Sequence, residues 1–199
     1  MAMNEKSATA MPGGLALLGG LGSYAAGIWQ MTQTGQQPQD PRHVLYGVAL
    51  FVLGTMLFKG VFVNGPNEAR VLTFFGRYVG TVKDGGLRWA NPLASKTAIS
   101  LRARNFETAK IKVNDQGGNP IEIAAVIVWR VVDTARASFE VENYPAFVQL
   151  QSEAAVRNLA MHHPYDSHDD QVPSLRGQSE VVSAQLRQEL NDKLRSAGV

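Results

Sequence analysis

Two stretches without any charged side chain, both near the N-terminus, constrain this chain more than any other feature. Residues 11–31 contain no charge in 21 positions, and residues 44–58 contain none in 15. Residues 1–58 carry only four charges, whereas the other 32 follow from residue 59 onward. Because a charge at the centre of a bilayer costs roughly 2.5–3.5 kcal/mol, such segregation is typical of a membrane anchor. We therefore predict an anchor followed by a domain outside the bilayer.

The two stretches are long enough to form two membrane-spanning helices. A span needs about 20 residues to cross roughly 30 Å of hydrocarbon. Residues 11–31 meet this length, and the second stretch meets it over 44–63 if Lys59 reaches the headgroups. Residues 32–43 are polar and contain two prolines, so they form a loop. After a tail of residues 1–10, the sequence thus predicts a transmembrane hairpin over residues 11–63.

Small residues suggest how the two predicted helices pack against each other. Gly19, Ser23 and Gly27 recur every four residues, and Gly47 with Gly54 offers a sparser stripe on the second helix. In lipid, small residues allow two helix backbones to approach closely. We predict that these five residues line the contact between the helices.

Two topologies remain open at this point. A cleaved signal peptide ending near residues 23–25, followed by a single span, is the alternative to the hairpin. The tail has one lysine beside one glutamate, which is a weak positive region for a signal peptide. For the hairpin, the loop holds only Arg42, whereas Lys59, Arg70 and Arg77 follow the second span closely. The positive-inside tendency then places both termini and the following domain in the cytoplasm.

The residues after the anchor predict an α+β domain over 64–199, with a mixed sheet and flanking helices. Alternation with period two favours strands at 71–75, 98–101, 109–113 and 121–132, separated by Gly-, Pro- and Asn-rich turns. The last of these strands is apolar at nearly every position. We therefore expect it at the centre of the sheet, buried on both faces.

Two helices are predicted in the second half of this domain. Residues 144–161 have helical periodicity and offer Phe147, Leu150 and Ala154 to a core. A second helix follows a polar loop, and Gly198 is expected to cap its C-terminal end. Four residues of this second helix are spaced by four: Val182, Leu186, Leu190 and Leu194.

The loop between those helices contains the strongest cluster of potential metal ligands. Adjacent histidines diverge, however, and Pro164 prevents the helical spacing that two histidine ligands need, so we favour a solvated loop. A membrane-bound metallohydrolase that uses residues 162–170 remains an alternative. The cluster comprises His162, His163, Asp166, His168, Asp169 and Asp170.

Little else in the sequence indicates an enzyme. The chain has no cysteine, which excludes disulfides, thiolate catalysis and thiolate metal sites. The net charge of +2 is too small to indicate nucleic-acid binding. No nucleophile elbow, phosphate-binding loop or dinucleotide fingerprint occurs. We expect no enzymatic activity, no cofactor, no bound metal and no nucleic-acid partner.

The half of the domain next to the anchor is basic. Residues 59–112 contain ten Lys or Arg against three Asp or Glu, and a juxtamembrane basic surface is attracted by anionic headgroups. Aromatic side chains interleaved with these charges could insert among headgroups, although some of them must fill the core. The predicted membrane-surface contacts are Lys59, Phe62, Arg70, Phe75, Arg77, Tyr78, Arg88 and Trp89.

Several short motifs after the second span resemble one known family. A Pro-x-Glu is followed by an aliphatic strand that ends in Phe-Gly-Arg-Tyr, and then by Gly-Leu and Asn-Pro. These residues are Pro66, Glu68, Phe75, Gly76, Arg77, Tyr78, Gly86, Leu87, Asn91 and Pro92. In combination they resemble the start of the SPFH (band 7) domain of the stomatin, prohibitin and flotillin superfamily. Residues 119–137 and 159–170 also resemble bacterial members with an N-terminal membrane hairpin.

The resemblance implies a non-enzymatic membrane scaffold in the bacterial inner membrane. Such proteins self-associate beside the bilayer, organise lipid and protein microdomains, and often regulate membrane proteases. Membrane lipids, further copies of the chain, and membrane proteases or other membrane proteins are the implied partners. An auxiliary subunit of a larger membrane complex is the second alternative. Family members continue with another strand and a long coiled-coil helix, so we expect the domain to be incomplete at residue 199.

Overall fold

The computed structural model describes residues 5–34, 41–166 and 173–199 and has the predicted mixed α+β composition. The chain separates into two compact units. The N-terminal unit is Lys6–Ser100, and the C-terminal unit is Leu101–Val199 together with Met1–Glu5, of which Glu5 is described.

Two long helices dominate the N-terminal unit. Helix α1 is Gly13–Thr34 and α2 is Pro41–Gly60, with a proline at the first position of α2, where its missing N–H is not needed. Strand β2, Val61–Asn64, follows α2 directly, so the second helix ends three residues before the predicted span does. Among the described residues, one helix, Arg42–Gly60, is long and apolar enough to cross a membrane. The six glycines of α1 lower its hydropathy.

Two small antiparallel sheets complete the N-terminal unit. The first has the order β1-β5-β2, in which β1 leads directly into α1. The second has the order β4-β3-β6 and packs a buried cluster of Leu72, Val82 and Ala90. Besides β2, the strands of these two sheets are β1 (Met11–Pro12), β3 (Glu68–Phe74), β4 (Arg77–Val82), β5 (Gly86–Trp89) and β6 (Ser95–Ser100).

Within the described residues, the C-terminal unit combines two strand pairs with three α-helices and one short 3-10 helix, Arg195–Ala197. Strand β7 pairs with β10, and β8 pairs with β9, both antiparallel. Buried residues of α4 and α5 form one core, against which side chains of β7 and β10 pack. The elements are β7 (Arg104–Glu107), β8 (Ile111–Asn114), β9 (Pro120–Ile123), β10 (Val126–Trp129), α3 (Thr134–Phe139), α4 (Tyr144–His162) and α5 (Ser179–Leu194).

The prediction of one long central strand at 121–132 is wrong. The segment divides into β9 and β10, which belong to different two-stranded sheets. The break lies at Ala125, whose N–H donates to Thr108 Oγ1 (2.9 Å) and whose carbonyl accepts from the Thr108 N–H (2.9 Å). Alternate residues of both strands are exposed, so neither strand is buried on both faces. In place of one mixed sheet, the described strands form four small antiparallel sheets.

Both helices predicted in the second half are confirmed. Asn143 caps α4 by accepting a hydrogen bond from the Ala146 N–H, and Gly198 adopts a left-handed conformation (φ 72°) after the last turn. The predicted core face of α4 is partly wrong, because Leu150 is 64% exposed and Ala154 is exposed as well. The buried face of α4 carries Val148, Ser152, Ala155, Val156, Leu159 and Ala160.

Candidate membrane-facing surface

Four of the five predicted packing residues lie between α1 and α2. A Cβ at Gly27 would come within 3.4 Å of the Gly47 carbonyl oxygen, and one at Gly54 within 3.3 Å of the Gly20 carbonyl oxygen. At Gly19, a Cβ would lie 3.5 Å from the Leu57 side chain. Ser23 instead donates its hydroxyl to the Gly19 carbonyl within α1 (2.8 Å). The helix backbones therefore approach closely at the glycines.

The closest approach follows a spacing of seven residues instead of the predicted four. Gly20 and Gly27 are buried and seven residues apart on α1, and Gly47 and Gly54 repeat this spacing on α2, whereas the buried Gly13 lies against Leu87 and Arg88 of β5. Seven residues are about two helical turns, so such positions stay on one face. Sequence reasoning missed Gly20, although the seven-residue repeat was the signal that could have found it.

Aromatic side chains fill the space between the glycines. The Tyr24 ring lies 5.4 Å from the Phe51 and Phe58 rings, measured between centroids, and stacks on Phe58. A Cβ at Gly20 would come 2.8 Å from the Phe58 ring, so this ring occupies the room that a larger residue would need. The large side chains of one helix therefore pack against the small residues of the other.

The large aliphatic side chains of the pair point outward. Only 17% of the most apolar 18-residue stretch of α2 is buried, unlike the core helix of a soluble protein. Contiguous exposed apolar surface of this extent marks a site that contacts lipid or another protein. The exposed large apolar residues of the two helices are Leu15, Leu18, Leu21, Ile28, Trp29, Met31, Val44, Leu45, Tyr46, Val48, Val52, Leu53 and Met56.

Polar groups within the pair have partners inside it. The Tyr24 hydroxyl and Thr55 Oγ1 are 2.9 Å apart across the helices, and Gln30 Nε2 lies 2.6 Å from His43 Nδ1. Thr55 also donates to the Phe51 carbonyl (2.8 Å). Such pairing is what a helix needs where no water is present to satisfy polar groups.

The ends of both helices meet at the sheet β1-β5-β2. Met11 and Val61 lie on either side of Trp89, as the partners of that residue in β1 and β2. The Trp89 indole N–H donates to the Leu57 carbonyl (2.9 Å), and the Gly60 carbonyl accepts from the Ala90 N–H (3.1 Å). Two of the last carbonyl groups of α2, which lack intrahelical partners, are therefore satisfied by Trp89 of β5 and by Ala90, the residue after it.

The eight predicted membrane-surface residues fall into two groups. Lys59, Phe62, Arg88 and Trp89 lie at or in the sheet that continues from the helices. Within that group Phe62 packs against a buried cluster, and Arg88 is held by Asp84 (3.6 Å) and by the Gly85 carbonyl (3.3 Å). The structure therefore leaves Lys59 as the exposed cation of this group.

The other four predicted residues lie in the second sheet or its hairpin. Arg70 donates to the Val63 carbonyl (3.3 Å) and pairs with Glu68 (3.5 Å), while the Tyr78 hydroxyl donates to the Lys6 carbonyl (3.2 Å). These two side chains are therefore occupied within the unit. Phe75 and Arg77 remain exposed.

Phe75 stands at the tip of the β3–β4 hairpin. Its side chain is 86% exposed, and its φ of 46° is unusual for a bulky residue. Gly76 (φ 77°) completes a two-residue loop between the paired Phe74 and Arg77, and such loops require positive φ at both positions. An exposed, conformationally unfavourable phenylalanine is not explained by packing, since its ring contact is with its neighbour Phe74 at 4.6 Å.

A second lysine, which sequence reasoning missed, lies near Lys59. Burial, followed by the positive charge of Lys59, lowers the pKa of Lys96. Its ammonium donates to the Asn91 and Ala94 carbonyls, both at 3.4 Å. No spacing in the sequence links residues 59 and 96, so only the fold of the chain shows that these cations are neighbours.

The described part of the 162–170 cluster is engaged in protein contacts. His163 is buried, with Nδ1 3.1 Å from the Pro173 carbonyl and Nε2 2.9 Å from Gln185 Oε1. Asp166 pairs with Arg176 (3.1 Å). His168, Asp169 and Asp170 lie outside the described residues, and within the described ranges no group of three or more potential ligands could hold a metal ion.

A buried carboxylate anchors the loop after α4. Asp115 accepts hydrogen bonds from the Tyr165 N–H (3.0 Å) and from the Asn119 N–H (2.7 Å). These backbone donors, Tyr165 first, lower the pKa of Asp115. Residues 115–119 form the turn that joins β8 to β9. The arrangement stabilises a loop and has no feature of a catalytic centre.

Comparison with known protein families identifies most of the domain after α2. The family model described as SPFH domain / Band 7 family matches residues 62–199. The matched range begins in β2, at the second residue after α2, and includes every later strand and helix of the described residues. None of the curated proteins matches the chain.

Proposed function

We propose that this chain, which belongs to the SPFH domain / Band 7 family, is a membrane-anchored scaffold. The family consists in general of membrane-associated, non-enzymatic scaffolds that oligomerise. In this proposal α1 and α2 cross the bilayer as a hairpin, and the α+β part self-associates on one side. The resulting assembly organises membrane microdomains, regulates membrane proteases, or does both.

The observation that carries the proposal is the outward orientation of the apolar side chains on α1 and α2. A soluble helix pair buries its large apolar residues and exposes charged ones. Here glycines lie inside and residues such as Leu18, Leu45 and Leu53 lie outside. In lipid, where apolar side chains need no burial, close packing of small residues is what brings helices together.

The arrangement of β1 and β2 supports a hairpin over a single span. Both strands pair with β5, so the beginning of α1 and the end of α2 meet at the same sheet. If α2 crosses the bilayer, α1 must return the chain to the same side. An uncleaved α1 is therefore part of the proposal, in place of the signal peptide considered above.

The charges that follow α2 support a cytoplasmic location for the α+β part. Residues 59–100 contain six Lys or Arg against two Asp or Glu. The positive-inside tendency then favours an inner-membrane protein with both termini in the cytoplasm. The basic surface would also be attracted by anionic headgroups.

Strand β10 supports self-association. Within the described residues β10 pairs with β7 on one side only. Val126 and Val128 are 66% and 69% exposed on the same strand. An unpaired edge with apolar side chains is a ready template for another chain. In the proposal, a second copy of this chain covers this edge.

Alkaline carbonate extraction tests the membrane anchor. The native chain is expected to stay in the membrane pellet. Leu53→Arg places a charge near the middle of α2 and should shift partition by about 100-fold toward the soluble fraction. Ala184→Arg, at an exposed position of α5, is the matched control and should behave as the native chain does. A native chain found in the supernatant would contradict the anchor.

Chemical crosslinking in detergent tests self-association independently. Large homo-oligomers are expected for the native chain, and Val128→Lys should reduce them because a lysine on an edge strand opposes pairing. Val181→Lys, at an exposed valine of α5, should leave them unchanged. A native chain that is monomeric under these conditions would instead favour the auxiliary subunit.

A further inference from the structure

A groove runs along α2 on the surface of the helix pair. Its volume is about 510 Å³, and its walls include Val48, Val52 and Met56 on successive turns of α2. Lys59 closes one end, together with Pro92 and Leu93 from the loop between β5 and β6. The groove is thus apolar along its length and cationic at its foot.

The length of the groove corresponds to one leaflet of a bilayer. From Val48 to Lys59 the helix rises by about 16 Å, at roughly 1.5 Å per residue. Half of the hydrocarbon core is about 15 Å thick. A single acyl chain that entered from the Lys59 end would therefore fill the groove and reach no farther than the middle of the bilayer.

The loop at the foot of the groove is held rigidly. Asn91 Oδ1 accepts from the Leu93 N–H (2.9 Å), and the Asn91 carbonyl accepts from the Ala94 N–H (3.1 Å). This turn holds Leu93 out from the surface, more than half exposed. The Lys96 ammonium bonds to the carbonyls of the same turn. A cation and an exposed apolar side chain are therefore fixed side by side.

The two lysines at the foot have no acidic partner among the described residues of the N-terminal unit. Glu68 is paired with Arg70, and Asp84 is paired with Arg88. Partial burial and, after it, the charge of Lys59 disfavour the charged form of Lys96. An anion beside both lysines would favour their charged forms.

We propose that this groove binds one anionic phospholipid, with an acyl chain against Val48, Val52 and Met56 and the phosphate between Lys59 and Lys96. The occupant is a lipid of the leaflet that surrounds the C-terminal end of α2. The proposal deepens the proposed function and rests on it, since α2 must lie in the bilayer. The proposed site binds a single lipid molecule, which is more specific than the general attraction of a basic surface to headgroups.

The headgroup part is tested by competition between two lipids with the same acyl chains. The full chain in neutral detergent micelles is titrated with phosphatidylglycerol and with phosphatidylcholine, and bound lipid is counted by native mass spectrometry. The native chain should prefer phosphatidylglycerol. Lys59→Met and Lys96→Met should each lower this preference about fivefold. Lys83→Met, an equal loss of charge at an exposed position of the same unit, should not change it.

Thermal unfolding separates a binding role of Lys96 from a structural one. A role of Lys96 in headgroup binding predicts that Lys96→Met leaves the midpoint of unfolding unchanged when no lipid is added, although its two hydrogen bonds to the turn are lost. The stabilisation that phosphatidylglycerol confers on the native chain should then be weaker in this variant. A variant that unfolds at a lower temperature and retains the lipid preference would show that Lys96 only stabilises the turn at Asn91 and Ala94.

The acyl part is tested by filling the groove. Val52→Trp should abolish the binding of one phosphatidylglycerol, whereas Leu45→Trp, on an exposed part of α2 outside the groove, should not. Excess inorganic phosphate should fail to displace the lipid. Displacement by phosphate, or full binding in Val52→Trp, would reduce the site to a simple anion site and overturn the proposal.

Failure of this inference can be told apart from failure of the proposed function. A chain that resists carbonate extraction but binds both lipids equally would overturn the lipid site and leave the anchor intact. A chain extracted by carbonate would overturn both. The two measurements therefore need to be made on the same preparation.

Discussion

Two pairs of long helices, α1 with α2 and α4 with α5, are built in opposite ways. In α4 and α5 the buried positions hold Val148, Val156 and Leu190. In α1 and α2 the buried positions hold glycines, and the leucines and valines face outward. In the proposed function the two pairs also differ in their surrounding medium, which is water for α4 and α5 and lipid for α1 and α2. Water drives apolar side chains into the first pair, whereas a pair in lipid has only close packing to hold it together.

The comparison teaches that the residues at the buried positions of a helix pair indicate its solvent better than the overall composition of the pair does. Helix α1 is not apolar enough by itself to qualify as a membrane span, because its glycines lower the average. Three of those six glycines, Gly19, Gly20 and Gly27, form contacts with α2. An average over the sequence therefore penalises the residues that a membrane helix uses for packing.

The largest expected effect comes from placing a carboxylate on the buried face of α4. Val156 is fully buried, so Val156→Asp should lower the free energy of unfolding by about 4 kcal/mol, because the charge would have no partner. Val181 is an exposed valine of α5, and Val181→Asp should change it by less than about 0.5 kcal/mol. Limited proteolysis of the C-terminal unit, with the chain in detergent, measures both. Equal sensitivity would contradict the inward packing of α4.

A smaller effect is expected from replacing a glycine between α1 and α2 by a larger residue. A valine at Gly54 would press on the Gly20 carbonyl and the Tyr24 ring, both 3.3 Å from the new Cβ, and overpacking of this kind costs about 1–3 kcal/mol. Gly22 is the control, because a Cβ there meets nothing within 4 Å. Reversible unfolding in detergent micelles should separate Gly54→Val from Gly22→Val. If both variants unfold alike, the glycines do not form the contact.

The smallest effect concerns the hairpin in the N-terminal unit. Phe75→Asn should raise the free energy of unfolding by about 1 kcal/mol, because asparagine tolerates positive φ and Asn-Gly is a favoured pair for such a loop. Val79→Asn removes a half-exposed apolar side chain from the same hairpin, at a position without positive φ, and should not stabilise it. Thermal unfolding of the full chain in detergent gives both values. A destabilised Phe75→Asn would show that the phenylalanine contributes packing here.

How well each region could be predicted depended on where the determining contacts lie. Helix α5 was predicted because Val182, Leu186, Leu190 and Leu194 carry their own periodicity. In α4 the alanines obscured the phase, so Leu150 was assigned to the core although it is exposed. The break at Ala125 depends on Thr108, which lies 17 residues earlier in the chain, and no local pattern reveals it.

The candidate site was predicted in outline and missed in detail. The absence of charge identified the two helices, and family motifs identified the domain that the family model matches. The contact between α1 and α2 was assigned a spacing of four, since the sequence does not reveal which face meets a partner. Lys96 was missed because its proximity to Lys59 results from the turn at Asn91 and Ala94.

The direct passage of α2 into β2 has a mechanical consequence. No linker separates Gly60 from Val61, and the Trp89 indole hydrogen bond ties the last turn of the helix to the neighbouring strand. A side chain at Gly60 would clash with Trp89 and with the Ala90 carbonyl, so this joint has no room to bend there. Helices tilt when the bilayer thins. If α2 crosses the bilayer as proposed, a stiff joint passes such a tilt to the sheet as a lever passes on a rotation, and the thickness of the membrane becomes a force on the part of the chain outside it.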